Sequence, residues 1–222
     1  MRPIITMTSW RDRIENVPTV INSLYRNTTP PEFVVLNLST DEFPYGLPKD
    51  MEDYCYKHKV MVLWDPNNRK VWKKILPTIS AFPNKPIICV DDDFIYPSHF
   101  IETLWEPFQQ DSSTPLTGIT FYLDGKYQQF SGCSSIFTSK HFGDVYKVLI
   151  DHPEIYSMKS SDTFFMCMTH IAGNPVRYCG RKIRKELTPF NDVSPWSAGQ
   201  GVKNSMEMLN YMRKLYPQWL TK

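Results

Sequence analysis

The 222-residue chain has no apolar run approaching the roughly 18 to 20 residues needed to cross a bilayer, which argues against a spanning helix. Glycine is scarce, 9 residues against 18 prolines, and there is no repeat, low-complexity tract or block of like charge. That balance excludes a flexible or repetitive chain and suits stiff, proline-punctuated loops. Neither sign of charge dominates: the net charge of +2 is too near neutrality for a protein held to nucleic acid mainly by charge. The N-terminal run Met1-Arg2-Pro3-Ile4-Ile5-Thr6 enters a strand-like segment with no signal-peptide core or cleavage site, so secretion is not expected. The five cysteines, Cys55, Cys89, Cys133, Cys167 and Cys179, are odd in number and scattered. They make no disulfide framework, and a cytoplasmic setting fits them, free or at a membrane surface. There the Asn27-Thr28-Thr29 and Asn37-Leu38-Ser39 sequons would stay unmodified. Cys167 and His170 have a ligand-like spacing, but no second pair completes a zinc site, and they read as a buried thiol and a helical histidine.

What is present is a core-forming composition, 41% hydrophobic and 14% aromatic, in a length that allows one large domain or two small ones. The first half alternates regularly. Strands are expected at Pro3 to Met7, Phe33 to Leu38, Val60 to Trp64 and Pro86 to Val90. Helices are expected at Asn16 to Tyr25, briefly at Asp50 to Lys57, and at Val71 to Phe82, with Pro77 as a kink or boundary. Continuous apolar strands alternating with helices indicate a parallel sheet covered on both faces. The second half is less regular. Strands are expected at Leu116 to Leu123 and Tyr127 to Phe130, and helices at Phe142 to Ile150, Thr163 to Ile171 and Lys203 to Tyr216. No linker divides the chain.

Ligands in such sheets bind outside the carboxyl ends of the strands, and three exits are chemically rich. They are Thr8-Ser9-Trp10-Arg11, Asp65-Pro66-Asn67-Asn68 and Asp91-Asp92-Asp93. Three adjacent carboxylates repel one another and are tolerable where a hard cation sits among their oxygens. Asp91 and Asp93 share a face if the strand continues, leaving Asp92 to turn toward the protein or a ribose. The ordinary alternative is a solvated acidic turn. Arg11 and Arg13 after the first strand, and Arg69, Lys70, Lys73 and Lys74 before the acidic one, suit a diphosphate whose negative charge grows as it departs. For the lysines the alternative is an exposed helical face; for Trp10, a base-stacking ring or a core residue.

Taken in order, four stretches resemble the nucleotide-sugar glycosyltransferases of the GT-A fold, the small family-2-like enzymes that build surface polysaccharides in bacteria and large viruses. They are Ile5 to Ile14, Leu36 to Pro44, Val71 to Pro77 and Ile88 to Pro97. The resemblance implies an α/β fold with a Rossmann-like, mostly parallel central sheet flanked by helices and a smaller mixed acceptor-side region. It implies one domain over 1–222, with a nucleotide-sugar half over about 1–97 and an acceptor half over about 98–222. It further implies a donor sugar on UDP, dTDP or GDP, Mn2+ or Mg2+ on Asp91 and Asp93, and donor binding by Thr8, Ser9, Trp10, Arg11, Arg13, Lys73, Lys74, Asp91 and Asp92.

The second half matches more loosely. Phe130-Ser131-Gly132-Cys133-Ser134-Ser135 resembles the family's acceptor-side segment, with serines where a second glycine is common. Ser160-Ser161-Asp162-Thr163 resembles its paired-acid motif but keeps one acid. The resemblance makes Asp162 the general base toward an acceptor hydroxyl, although a plain helix N-cap reads equally well. Asn191-Asp192 matches a late family motif, and no histidine beyond His170 supplies the C-terminal metal ligand of many relatives. The resemblance implies inversion as the default, and the lone acid leaves retention open. Rings such as Trp10, Tyr96, Trp105, Tyr122 and Trp196 are candidates to stack on base or sugar. The expected activity is transfer of a sugar from a nucleoside diphosphate to a glycan hydroxyl, alone or as one module of a larger synthase. A nucleotidyltransferase is one rival, though the loop after the first strand lacks its glycines; a non-catalytic carbohydrate-binding module is another.

Overall fold

Apolar runs and helices alternate as the sequence implies, and the computed structural model describes residues 2–190 and 200–221. The order is β1 (Ile4–Thr8), α1 (Val17–Tyr25), β2 (Val34–Ser39), α2 (Lys49–Lys57), β3 (Val60–Asp65), α3 (Leu76–Ala81), β4 (Ile87–Cys89), β5 (Phe94–Ile95) and α4 (Phe100–Gln110). The chain continues through β6 (Leu116–Thr117), β7 (Tyr122–Leu123), β8 (Tyr127–Gln128), β9 (Ser135–Phe137), α5 (Val145–Asp151), α6 (Ser161–Ile171), β10 (Arg177–Tyr178), β11 (Thr188–Pro189) and α7 (Gln200–Leu215). Among these residues no helix is long and apolar enough to cross a membrane.

Seven strands form the central sheet in the order β10-β6-β9-β4-β1-β2-β3. Pairings among β4, β1, β2 and β3 are parallel, as is β10 with β6; only β9 runs against its neighbours. Successive side chains leave a strand on opposite faces, and the packing follows that rule. Ile4, Val35, Ile87 and Phe137 enter one buried cluster with Trp72, Ile79 and Phe164, while Ile5, Val34, Ile88 and Ile136 enter the other with Val20, Leu24 and Phe100. Both faces are therefore covered, as continuous apolar strands require.

Several boundaries differ from expectation. The helix expected over Val71 to Phe82 is a 3-10 turn, Lys70–Lys74, followed by α3. Pro77 lacks an N–H and its ring crowds the carbonyl four residues back, so the helix restarts with Pro77 in its first turn. The strand expected over Leu116 to Leu123 breaks into β6 and β7 because the chain bends around Ile183, whose amide donates to Gly118 O at 3.1 Å. A Cβ on Gly118 would lie 2.8 Å from Ile183 Cδ1. Gly143, at φ 53°, separates the turn Ser139–Phe142 from α5, which begins three residues later than the expected helix. Asn191, Asp192 and Trp196 lie outside the described residues.

Candidate active site

A buried polar network at the carboxyl ends of β1 and β2 sets the floor of the site. Asn37 Nδ2 donates to Thr6 Oγ1 at 2.9 Å, to Thr78 Oγ1 at 3.0 Å and to Lys74 O at 3.2 Å. Thr6 Oγ1 also bonds Lys74 O. A fully bonded buried network fixes geometry strongly, and this one clamps the backbone that carries Lys73 and Lys74. Both lysines are buried rather than displayed on a solvated helix face: Lys73 is paired with Glu42, and Lys74 with Asp91.

The three aspartates find their counter-charges at a distance in sequence. Asp92 accepts from Ser9 Oγ at 2.6 Å and from Arg13 at 3.2 Å, so it turns toward the protein. Asp93 Oδ2 accepts from Arg13 at 3.0 Å. The Asp91 amide donates to the buried Tyr96 hydroxyl at 2.8 Å, which gives that ring a structural place instead of a stacking one. Burial disfavours the charge on Arg13, yet Asp92 and Asp93 outweigh it and hold the guanidinium above its usual value. Burial, and then Asp91, raise the Asp93 carboxyl above the usual range despite Arg13. The backbone over 187–190 covers this cluster: β11 pairs antiparallel with β5, and the Phe190 amide donates to Asp93 O at 2.9 Å.

Opposite stands the N-terminus of α6. Asp162 Oδ2 accepts from the Gly132 amide at 2.9 Å, and no side-chain cap bond forms at that helix start, which removes the plain N-cap reading. Lys74 Nζ donates both to Asp91 and to Gly132 O, the latter at 3.2 Å, and so stands between the two acids. A Cβ on Gly132 would fall 2.8 Å from Lys74 Nζ and 2.9 Å from Asp162 Oδ1. Burial raises the Asp162 carboxyl; Lys74 and the Gly132 amide pull it back only in part.

These groups line one cavity of about 850 Å3. Its wall includes Thr8, Ser9, Trp10, Arg13, Lys73, Lys74, the three aspartates and Asp162, so all but one of the expected site residues meet there. Arg11 does not. Its guanidinium folds back on Glu42 O at 2.7 Å, on the outer side of the 3-10 turn Arg11–Asn16, which sends Arg13 inward. Trp10 is 45% exposed at the wall and is not a core residue. Trp105 packs on Phe108, and Tyr122 is exposed outside the cavity wall.

Lys159, Arg184, Gln200 and Asn204 also line the cavity and were given no role by the sequence, while Asn68, from the second of the three strand exits, and Glu42, inside the Leu36 to Pro44 stretch, were given none of their own. Sequence reasoning named Lys70 only as part of the basic run; its backbone is left-handed at φ 51°, and it too faces the cavity. Asn37, a polar residue inside an apolar strand, was the one readable signal for the network beneath. Cys167 is buried in the core and His170 packs between Tyr127 and Trp219, where burial lowers its pKa to about 4.

Among the described residues, no group of three His, Cys, Asp or Glu side chains converges as a closed metal cage. Mg2+ and Mn2+ at phosphate-binding sites need only one or two carboxylates, the rest coming from phosphate and water. Asp93 Oδ1 is buried without a partner, and that orphan oxygen beside Asp91 fits such a cation. Orphaned buried oxygens are costly unless a ligand meets them.

No protein-family model and no curated protein matches the chain by sequence. Solved structures do match by shape. A mannosyltransferase from Pyrobaculum calidifontis, in complex with GDP-Man and Mn2+, superposes with TM-score 0.57 at 10% identity over 80% of this chain and 55% of its own. Glucosyl-3-phosphoglycerate synthase from Mycobacterium tuberculosis, in complex with UDP, gives 0.55 at 12% identity over 95% of this chain and 80% of its own. The fold is that of the GT-A glycosyltransferases. TarS residues 1-349 from S. aureus, in complex with UDP, gives 0.51 at 14% identity over 80% of this chain. The GT-A chain described here thus spans 55% of the mannosyltransferase and 57% of that TarS chain.

Proposed function

We propose that the chain is a metal-dependent glycosyltransferase that moves a sugar from a nucleoside diphosphate, in the first instance UDP, to a glycan hydroxyl. The observation that carries this reading is the partnerless buried oxygen of Asp93 in a cavity whose opposite wall presents Asp162. The UDP and GDP-sugar complexes of its structural neighbours support it. In this reading residues 1–97 bind the donor and residues 98–222 the acceptor, within one domain.

Trp10, exposed at the cavity wall, offers a face to the base, and Thr8 and Ser9 border the nucleotide. Arg13, Lys74 and Lys70 oppose the diphosphate charge; Lys73, already held by Glu42, contributes through the local field. Asp91 and Asp93 would hold Mn2+ or Mg2+, which when bound neutralises charge on the leaving diphosphate. The acceptor oxygen attacks the anomeric carbon as the bond to the diphosphate oxygen breaks, and the hydroxyl proton passes to Asp162. The Gly132 amide fixes the second oxygen of Asp162, so the base is oriented before substrate arrives.

The test is incubation with a panel of UDP-, GDP- and dTDP-sugars plus Mn2+. Slow, metal-dependent release of nucleoside diphosphate, accelerated by a glycan acceptor, is the expected result. Pyrophosphate release from a nucleoside triphosphate and sugar phosphate would instead identify a nucleotidyltransferase. Binding without turnover would identify a carbohydrate-binding module.

A further inference from the structure

Lys74 brings a positive charge into the end of the cavity that is expected to take a cation. It is 8% exposed, and its Nζ donates to Asp91 Oδ1 and, at 3.2 Å, to Gly132 O. Its carbonyl is held from beneath by Thr6 Oγ1 and Asn37 Nδ2, so only the side chain is left to rearrange. Gly132 makes room for it, since a Cβ there would stand 2.8 Å from Nζ. Asp91 keeps 33% of its side chain exposed and lines the same cavity.

The charges at this end nearly cancel before any ligand arrives. Arg13 Nη1 lies 3.2 Å from Asp92 Oδ1 and 3.0 Å from Asp93 Oδ2, and Lys74 is paired with Asp91. Three carboxylates thus face two cations, with Asp162 across the cavity and Lys73 already paired with Glu42. A small divalent cation gives up hydration water reluctantly and takes its remaining ligands from phosphate oxygens. Here the first carboxylate it needs is held by an ammonium, and like charges oppose each other strongly in a partly buried site. A diphosphate reverses that balance. It adds negative charge, and its oxygens offer the ammonium new acceptors. A lysine head on its flexible stem passes from one oxygen to another without backbone movement.

We propose that Lys74 is the counter-ion that keeps a bare divalent cation off Asp91 and releases that carboxylate when a nucleoside diphosphate enters, so that metal and nucleotide bind as a pair. The proposal rests on the transferase reading above and adds to it a binding order set by one residue. Coupling between two ligands is reciprocal: UDP tightens Mn2+ by the factor by which Mn2+ tightens UDP. Lys74 carries part of that factor by weakening Mn2+ alone. A lysine that only held the fold together would carry none of it.

The test counts Mn2+ bound to the full chain by loss of the free-ion EPR signal, with and without UDP, against a protein-free UDP baseline. The native chain should bind Mn2+ at least about tenfold more tightly with UDP than without it. Lys74→Met should bind Mn2+ alone at least about tenfold more tightly than the native chain, and the factor contributed by UDP should shrink accordingly. Lys74→Arg, which keeps the charge, should behave as the native chain does. If Lys74→Met does not fold, NMR of the lysine Nζ groups decides. The Lys74 signal, assigned by its absence from the Lys74→Arg spectrum, should stay in place with Mg2+ alone and move with Mg2+ and UDP together. Three results would overturn the proposal and leave the transferase reading intact: Lys74→Met no better than the native chain with Mn2+ alone, Lys74→Arg as good as Lys74→Met, or a Lys74 signal that moves with Mg2+ alone. A native chain in which UDP and Mn2+ do not affect each other's binding would overturn that reading and the proposal with it.

Discussion

The Gly132 amide donates to Asp162 Oδ2 at 2.9 Å, while the Gly132 carbonyl accepts from Lys74 Nζ at 3.2 Å. One residue thus links the acid on the α6 side of the cavity to the lysine that pairs with Asp91 on the other. No glycine at this position is called for by backbone handedness; the lack of a Cβ is what admits both side chains.

Replacing Gly132 with Ala should therefore act on transfer more than on donor binding. The new Cβ, 2.8 Å from Lys74 Nζ and 2.9 Å from Asp162 Oδ1, displaces the base by a fraction of an ångström. We expect kcat to fall by about tenfold or more, with a smaller loss of UDP affinity because Lys74 shifts too. Parallel calorimetry and turnover assays check this.

Lys74→Met should destabilise the fold. It leaves Asp91 without its ion-pair partner and Asp162 without its nearest cation. Breaking a fully buried pair costs about 3–5 kcal/mol, but Asp91 retains a third of its side-chain exposure, so about 2 kcal/mol is expected. For a chain of this size that is a fall in Tm of roughly 4–8 °C, read by thermal melting.

The pH profile follows from Asp162. Burial raises its carboxyl above the ordinary 3.8, and only the ionised form accepts a proton. Transfer should therefore fall as pH drops through that raised value, and Asp162→Asn should abolish transfer and with it the acid limb. The sign for stability is opposite. A raised folded pKa stabilises the protonated fold, an effect present below the unfolded value and lost as pH rises through the folded one. Asp162→Asn should consequently not lower Tm at pH 7. A melting series across pH alongside the rate profile separates the two effects.

Much of the cavity wall from the first half was legible in the sequence because apolar strands and their polar exits are local features. Thr8 to Trp10, Arg13 and the three aspartates could be nominated from β1 and β4 alone. The separation of Arg11 from Arg13 was not legible, since it depends on the 3-10 turn Arg11–Asn16, which sends residues two apart to different sides. Nor was the fate of Lys74. Its neighbours Asp91 and Gly132 lie 17 and 58 positions away, and only the Asn37–Thr6–Thr78 network explains why its backbone is held there. The second half resisted reading because β6, β7, β8 and β10 are two residues each, too short to carry a period, and β9 reverses direction against β4.

The central claim is that the Asp91–Asp93 end of the cavity takes a metal-bound nucleoside diphosphate. Titration calorimetry of UDP into the chain, with and without Mn2+, tests it most directly, comparing the native sequence with Asp93→Ala. The expected result is UDP binding that requires Mn2+ and falls by at least about a hundredfold in Asp93→Ala, where the orphan oxygen is gone. UDP affinity that is indifferent to both Mn2+ and the substitution would contradict it.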